Sequence, residues 1–559
     1  VKHCICGFLI LFLFSCKKDN DSGGKPVTPA AGPFTYVSST INGKAIGPFT
    51  GLGFTPEIKI NFSAPVKRSA VTPKIIILNK EGGNIQSSYG FERNDSTVVI
   101  KPSVPLAALS PYRLEIVSGL TSVSDVSLSS NQSIVFSTAI DSSRKFPALT
   151  NDQLLDKVQQ QTLKYFWDFA HPTSGMIREG NKHAPDIVTS GGTGFGVMAL
   201  IVGMERGFIN KAQGLARIQT IITFLKDKAQ RFHGAFPHWM NGASGAVIPF
   251  SANDNGADLV ETSLLMMGLL TARQYFTGAD VAEANLRVDI NSLWNAVEWD
   301  WFRQNNQNVL YWHWSPSAAW TMNLKVQGWN ECLITYVLAA SSTAHTITKD
   351  VYDNGWARAG AFKNGNTYYN YPLPLGENMG GPLFLAHYSF MGINPNGLSD
   401  AYANYQTQTK NHTLINYEYC KANPKGYYGY SDSVWGLTAS NIKDGYTASS
   451  PTNDQGFIAP TAAISSLPYT PNESMAALHF FYYVLGDKLF KEYGFVDAFS
   501  LDVVKNNGAW FADTHLAIDQ GPIVVMIENY RSGLLWNLFM SAPEVKAGLK
   551  KLGYSAPGL

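Results

Sequence analysis

The sequence predicts a mainly α protein in two parts, a small β-sandwich followed by a large all-α domain. Three observations carry that reading. At 559 residues the chain exceeds one typical domain and suits a small module beside a large one. Between residues 34 and 140, short runs rich in Val and Ile alternate apolar and polar positions, at 57–62, 97–100, 112–117 and 133–136. Such alternation, with turns between the runs, marks half-buried strands packed as a sandwich. From Asn151 onward the period becomes helical, with Leu154, Leu155, Val158, Leu163, Phe166 and Trp167 recurring at helix spacing.

Taken in order, residues 1–15 read as a signal peptide. Lys2 precedes an apolar run over 7–14 that is too short to span a bilayer comfortably. Leu13-Phe14-Ser15-Cys16 resembles the bacterial lipobox, which makes Cys16 the expected lipidated first residue of the mature chain. Residues 16–33 form a polar, Gly- and Pro-containing tether. The expected location is the bacterial cell envelope, with a lipid anchor in the membrane. Of five cysteines only Cys332 and Cys420 remain in the folded part, too few for a disulfide framework or a Cys-rich metal site. Whether these two pair is left open.

Residues 34–140 carry Ile60-Asn61-Phe62-Ser63-Ala64-Pro65-Val66, Leu109-Ser110-Pro111-Tyr112 and Phe136-Ser137-Thr138, phrases that resemble bacterial Ig-like domains beside secreted enzymes. No acidic or aromatic cluster stands out there, and the module reads as a spacer. Within residues 141–559, helices are expected near 195–207, 214–228, 258–276, 280–302, 329–342, 382–391, 399–422, 473–485 and 523–539. Long loops crowded with Gly, Asn, Tyr, Trp and Pro separate them, and loops of that length in a compact domain are functional. About a dozen helices with such loops suit a toroidal double ring, although period alone establishes only a large all-α domain.

Charge is balanced, 43 basic against 42 acidic residues, and only 15% of the chain is charged while 13% is aromatic. No basic stripe tracks a phosphate backbone, which argues against nucleic acid as a partner. No Gly-x-Ser-x-Gly elbow, Walker loop or His-Glu-x-x-His is present. The glycines of Gly191-Gly192-Thr193-Gly194-Phe195-Gly196 look like a phosphate cradle, but no strand pattern precedes them, and they read as tight packing at a helix start. His233 and His238 are close, yet no carboxylate at suitable spacing completes a metal triad, so neither metal nor cofactor is expected.

What remains is carboxylates beside aromatics. Asp254-Asn255-Gly256-Ala257-Asp258-Leu259-Val260-Glu261 leads into the apolar run 264–270, and Asp258 and Glu261 share one face of a helix start. Acids are also favoured at helix starts as caps. Glu331 in Gly328-Trp329-Asn330-Glu331 and Asp519 in Ile518-Asp519-Gln520-Gly521-Pro522 open two further helices. Singly each acid reads as a cap. Recurring at inner-helix starts, which converge on one face of a helical ring, they point to a shared cleft, and paired carboxylates perform glycoside cleavage. Trp239, Trp314 and Trp329 lie in polar loops near these acids and are expected to stack on sugar rings, whereas Trp167 and Trp536 follow helical patterns and are expected in the core.

From about residue 154 to 539 the chain resembles the glucoamylase-like proteins of glycoside hydrolase family 144. The resemblance runs through Gly234-Ala235-Phe236-Pro237-His238-Trp239, the Asp254 to Glu261 segment, Gly328-Trp329-Asn330-Glu331, His387-Tyr388-Ser389-Phe390, Trp435-Gly436-Leu437-Thr438, Asp519-Gln520-Gly521-Pro522 and Glu528-Asn529-Tyr530. It implies an (α/α)6 barrel and inverting hydrolysis of β-1,2-glucan, by cuts inside the chain or by release of sophorose from an end. A glycan-binding surface lipoprotein without turnover is the alternative. The family's acids fall on Asp258, Glu261, Glu331 and Asp519. Two acids on one helix are poorly placed to flank a bond, so Glu331 is expected as general acid and Asp519 as general base. Asp258, Glu261, His238 and the three tryptophans are then expected to bind substrate.

Overall fold

The computed structural model describes residues 32–559. The expected signal segment, Cys16 and the tether as far as residue 31 lie outside the described residues. No described helix is long and apolar enough to cross a membrane.

Nine strands build the first module: β1 (Tyr36–Ile41), β2 (Phe49–Leu52), β3 (Ile58–Phe62), β4 (Ile75–Leu78), β5 (Asn84–Ile85), β6 (Ser87–Glu92), β7 (Thr97–Pro102), β8 (Pro111–Ile116) and β9 (Gln132–Thr138). They form two sheets, in the orders β1-β3-β7-β6 and β2-β9-β8-β4-β5. The four alternating runs of the sequence are β3, β7, β8 and β9. Period two turns Ile58, Ile60 and Phe62 of β3 inward and leaves Lys59 and Asn61 outward. Ile41, Ile75, Ile77, Ile100 and Leu114 complete a buried core between the sheets. The sandwich rests on the helical domain through Leu109, which packs on that domain's core and accepts the Ala509 N–H at 3.4 Å.

The α-helices of five or more residues that follow are α1 (Asn151–Trp167), α2 (Ser190–Glu205), α3 (Lys211–Asp227), α4 (Leu259–Tyr275), α5 (Val281–Asn295), α6 (Leu333–Ser341), α7 (Tyr405–Ala422), α8 (Pro460–Ile464), α9 (Pro471–His479), α10 (Ala517–Arg531), α11 (Leu534–Ser541) and α12 (Pro543–Leu552). Among the described residues, α2, α4, α6, the paired 3-10 turns Leu383–Ala386 and Ser389–Met391, α8 and α10 are buried almost all round. Between them in the chain come segments that keep exposed positions: α1, α3, α5, the turn Tyr352–Trp356, α7 and α9. An inner helix apolar on every side needs a second layer around it, and α10 packs back on α2 to close the ring. The architecture is an (α/α)6 toroid.

Glycine sets how closely the inner helices approach. A Cβ on Gly194 of α2 would stand 2.2 Å from the Leu264 carbonyl oxygen of α4, and one on Gly268 would stand 2.2 Å from the Gly194 oxygen. Gly192 meets Ala517 of α10 in the same way. The glycine string therefore packs helices, as expected, but a short strand, β10 (Ile187–Thr189), does precede it.

Several boundaries differ from expectation. The stretch 280–302 is α5 followed by a 3-10 turn, Trp299–Arg303, and 382–391 is two 3-10 turns rather than a helix. The stretch 523–539 is split at Gly533, whose φ of 71° breaks the chain between α10 and α11. Helix α10 starts at Ala517, ahead of Pro522, so Asp519 lies inside its first turn. Helices α8 and α12 were not expected. Cys332 and Cys420 are buried free thiols.

Candidate active site

Four short strands carry groups to the first cluster of acids: β11 (Trp239–Asn241), β12 (Val247–Ile248), β13 (Ala257–Asp258) and β14 (His313–Trp314). Asp258 ends β13 and caps α4, its Oδ1 accepting the Glu261 N–H at 2.9 Å. The capping reading therefore holds for one oxygen. The other lies 3.2 Å from His238 Nδ1 and 3.4 Å from His313 Nε2. Pairing of β13 with β14 sets Asp258 opposite His313, which also reaches Asp254 Oδ2 at 3.4 Å.

Charge in this cluster is ordered by those contacts. Burial works against the Asp258 anion, but hydrogen bonds from His238 and His313 hold its carboxyl well below the usual range. Burial also works against the His238 cation, and the charges of Glu261 and Asp258 overcome it, bringing its pKa up to about 10. His238, Asp254 and Asp258 bring ligand-type atoms within 4.8 Å of one another. That corrects the expectation that no carboxylate joins a histidine here: the partners are distant in sequence and adjacent in the fold. Ring nitrogens face carboxylate oxygens at hydrogen-bond distance, an arrangement that a proton on each ring satisfies.

Glu261, one turn into α4, is 8% exposed and accepts the Gly191 N–H at 2.7 Å and the Thr189 hydroxyl at 3.3 Å. Burial raises its pKa, and Asp258 and Glu179 add to the rise against the pull of the His238 cation. Glu331 stands in the turn before α6, since the helix begins at Leu333 and not at residue 329. Asn330 Oδ1 accepts the Cys332 N–H at 3.0 Å, and the Ser389 hydroxyl donates to the Glu331 carbonyl. Both anchors are on backbone, and the carboxyl accepts from the Glu331 N–H, which works against the effect of burial. Burial brings it up to about 7, with Glu261 and Asp258 adding charge of like sign.

Across the ring, Asp519 is 2% exposed and its Oδ2 meets no donor. Burial pushes this carboxyl well above the usual range, and Asp497 and Glu179 add to the push. The expectation that the turn before Gln520 steadies an ionised Asp519 is thereby corrected, because the residue sits in a helix and faces another acid. Asp497 is 1% exposed and lies within hydrogen-bonding reach of it. A hairpin, β15 (Ala439–Ile442) and β16 (Gly445–Ala448), hangs over this side. It carries Tyr446, 51% exposed, whose hydroxyl lies in the field of Asp519, Asp497, Glu179 and Glu331. The buried Tyr388 hydroxyl lies in the field of Asp519, Glu331 and Glu261 and so spans both halves.

The aromatic expectations divide. Trp239 is half-buried beside His238 and the 48% exposed Phe250, whose ring centroid is 4.7 Å away, an open apolar edge next to the acids. Trp314 turns the other way. Neighbouring strand residues face opposite sides, so with His313 on Asp258 its ring goes to His233 and Trp301, each 5.5 Å away. Trp329 is 7% exposed against Phe390, Tyr405 and Gly376 and is a packing residue. Trp536 is core, and Trp167 carries the Arg217 guanidinium on its face at 4.5 Å. Trp329→Ala should therefore cost about 3–5 kcal/mol of stability, whereas Trp239→Ala should lower kcat/KM and leave the melting temperature nearly unchanged. Thermal melts beside glucan assays separate the two.

Glu179, Asp497, Tyr388, Tyr446 and His313 were not singled out from the sequence. Asp497 did leave a trace, as one acid inside the apolar run Phe495-Val496-Asp497-Ala498-Phe499. Tyr388 lies in the His387-Tyr388-Ser389-Phe390 motif, whereas Glu179, Tyr446 and His313 carry no local signal, because their significance lies in partners tens or hundreds of residues away.

Comparison with known proteins decides the family. Residues 323–543 match the family model described as "Putative glucoamylase", and residues 33–138 match that of the bacterial Ig-like domain. The structure of an endo-β-1,2-glucanase from Chitinophaga pinensis is 52% identical, covers 74% of this chain and 100% of its own, and superposes with a TM-score of 0.71. The chain belongs to glycoside hydrolase family 144. A β-1,2-glucanase structure from Parabacteroides distasonis, 36% identical with a TM-score of 0.70, covers 93% of this family 144 chain and 72% of its own. An exo β-1,2-glucooligosaccharide sophorohydrolase of the same species is 44% identical over 425 residues, 72% of this chain. The chain spans 58% of the length of that curated relative.

Proposed function

We propose that the protein hydrolyses β-1,2-glucan by cuts inside the chain, with inversion. The carrying observation is two groups of carboxyls, the partly exposed Glu331 with buried Asp258 and Glu261 on one side and buried Asp519 with Asp497 on the other, with the Trp239 and Phe250 rings beside the first group. Glu331, with a pKa of about 7, suits the proton donor to the leaving glycosidic oxygen. Asp519 takes the proton of a water that bonds to the anomeric carbon from the opposite face as the C–O bond breaks. The 52% identical endo-acting relative, spanned over its whole length, favours endo action. Incubation with linear β-1,2-glucan should yield a ladder of short oligosaccharides whose new reducing ends are α-anomers. Sophorose as the sole early product would replace this reading by exo action, which the 44% identical relative favours.

A lipid anchor on Cys16 would hold the enzyme at the cell envelope. Cys16→Ala should move it from the membrane fraction to the soluble one, and persistence in the membrane would refute that anchor.

A further inference from the structure

The Asp497 and Asp519 carboxyls pose a problem of donors. Both are buried, at 1% and 2% exposure. Asp497 Oδ2 accepts the Asn441 N–H at 2.6 Å. Asp497 Oδ1 and Asp519 Oδ2 meet no donor from the protein, and the two groups lie within hydrogen-bonding reach of each other. Two anions in that position would repel, and two buried oxygens would stay unsatisfied. A single proton held between them removes both penalties, as in other paired carboxyls that cannot ionise together.

We propose that Asp497 is a positioning residue that forms with Asp519 a carboxyl–carboxylate dyad sharing one proton. The dyad keeps one negative charge, and that charge is what accepts the proton from the attacking water, giving a doubly protonated pair after bond cleavage. Release of that proton to solvent restores the dyad. Asp497 also fastens the hairpin: Asn441, which donates to it, is held in turn by Nδ2 on Thr514 Oγ1 at 2.8 Å, and the same hairpin carries Tyr446, whose hydroxyl lies in the field of Asp519. The groups whose charge is felt by Asp519 or that feel its charge are Asp497, Glu179, Tyr165, Tyr388 and Tyr446, all acidic or neutral. No cation among them competes for the role that the proton plays.

The catalytic part of this rests on the proposed role of Asp519, and the test separates the two. Infrared difference spectra at pH 9, taken without substrate, should show one protonated carboxyl in the wild type that vanishes in both Asp497→Asn and Asp519→Asn. Asp497→Glu, which restores a carboxyl, should bring it back. In turnover, Asp497→Asn should lower kcat about tenfold or more with KM little changed, since base strength and not glucan binding is altered. A carboxyl band that persists in Asp519→Asn overturns the dyad, and that variant serves even where Asp497→Asn fails to fold. Wild-type kcat in a folded Asp497→Asn also overturns it. Loss of the band with full turnover in Asp519→Asn would instead leave the dyad standing and remove Asp519 from the chemistry.

Discussion

Glu331→Gln and Asp519→Asn should each lower kcat on β-1,2-glucan by about 10²–10⁴-fold, the usual worth of a positioned acid or base. Both variants should fold. The tertiary anchors of the Glu331 turn are backbone contacts from Ser389 and Asn330, and Thr461 holds Asp519 through its carbonyl at 2.7 Å. Neither substitution touches them. Oligosaccharide binding by calorimetry should survive, because shape and hydrogen-bonding capacity are kept. The pH profile supplies an independent sign. An acid must be protonated to work, so with a pKa of about 7 at Glu331, kcat/KM should fall as pH rises through that value. Residual activity of Glu331→Gln should lack this alkaline limb. A variant that turns over near the wild-type rate would eliminate its residue from the mechanism and move Glu261 forward.

Arg206→Ala should destabilise the barrel by about 3–5 kcal/mol, the cost of stranding one partner of a buried ion pair. The stranded group is Glu528 on α10, 2% exposed, which accepts from Arg206 Nε at 2.7 Å and Nη2 at 2.8 Å, from Ser532 Oγ at 2.6 Å and from Gln159 Nε2 at 3.2 Å. Burial opposes its charge, and the Arg206 and Ser532 contacts prevail, holding its carboxyl below the usual carboxylate range. A depressed pKa contributes stability that is present above the unfolded value and is lost as pH falls through the folded one. In Arg206→Ala that dependence should reverse, since protonation neutralises the orphan, and the deficit against wild type should shrink on acidification. Urea melts at several pH values read this directly. An undiminished deficit at low pH would assign the loss to packing alone. Glu528 belongs to one of the motifs shared with family 144, and the structure assigns it to holding α10 against α1 and α2 rather than to the cleft.

What the sequence determined by itself were the features carried by local order. Period two placed β3 and β8, short Val- and Ile-rich runs placed β7 and β9, and period 3.6 placed most helices, because local spacing and composition decide which faces an element buries. Asp258 and Glu261 were legible for the same reason: a polar cluster ahead of an apolar run is a helix start, and helix starts in a ring converge. The ordered motifs carried the family. Tertiary structure decided everything that depends on contact across the chain. His313 reaches Asp258 only through pairing of β13 with β14, Trp314 is turned away by that same register, and Trp329 is drawn into the core by Phe390 and Tyr405. Asp497 and Asp519 stand 22 positions apart in the chain, and neither has a local pattern that announces the other. Titration behaviour belongs to this second class, since desolvation and neighbouring charge set it and no spacing of residues encodes which acids will be buried face to face.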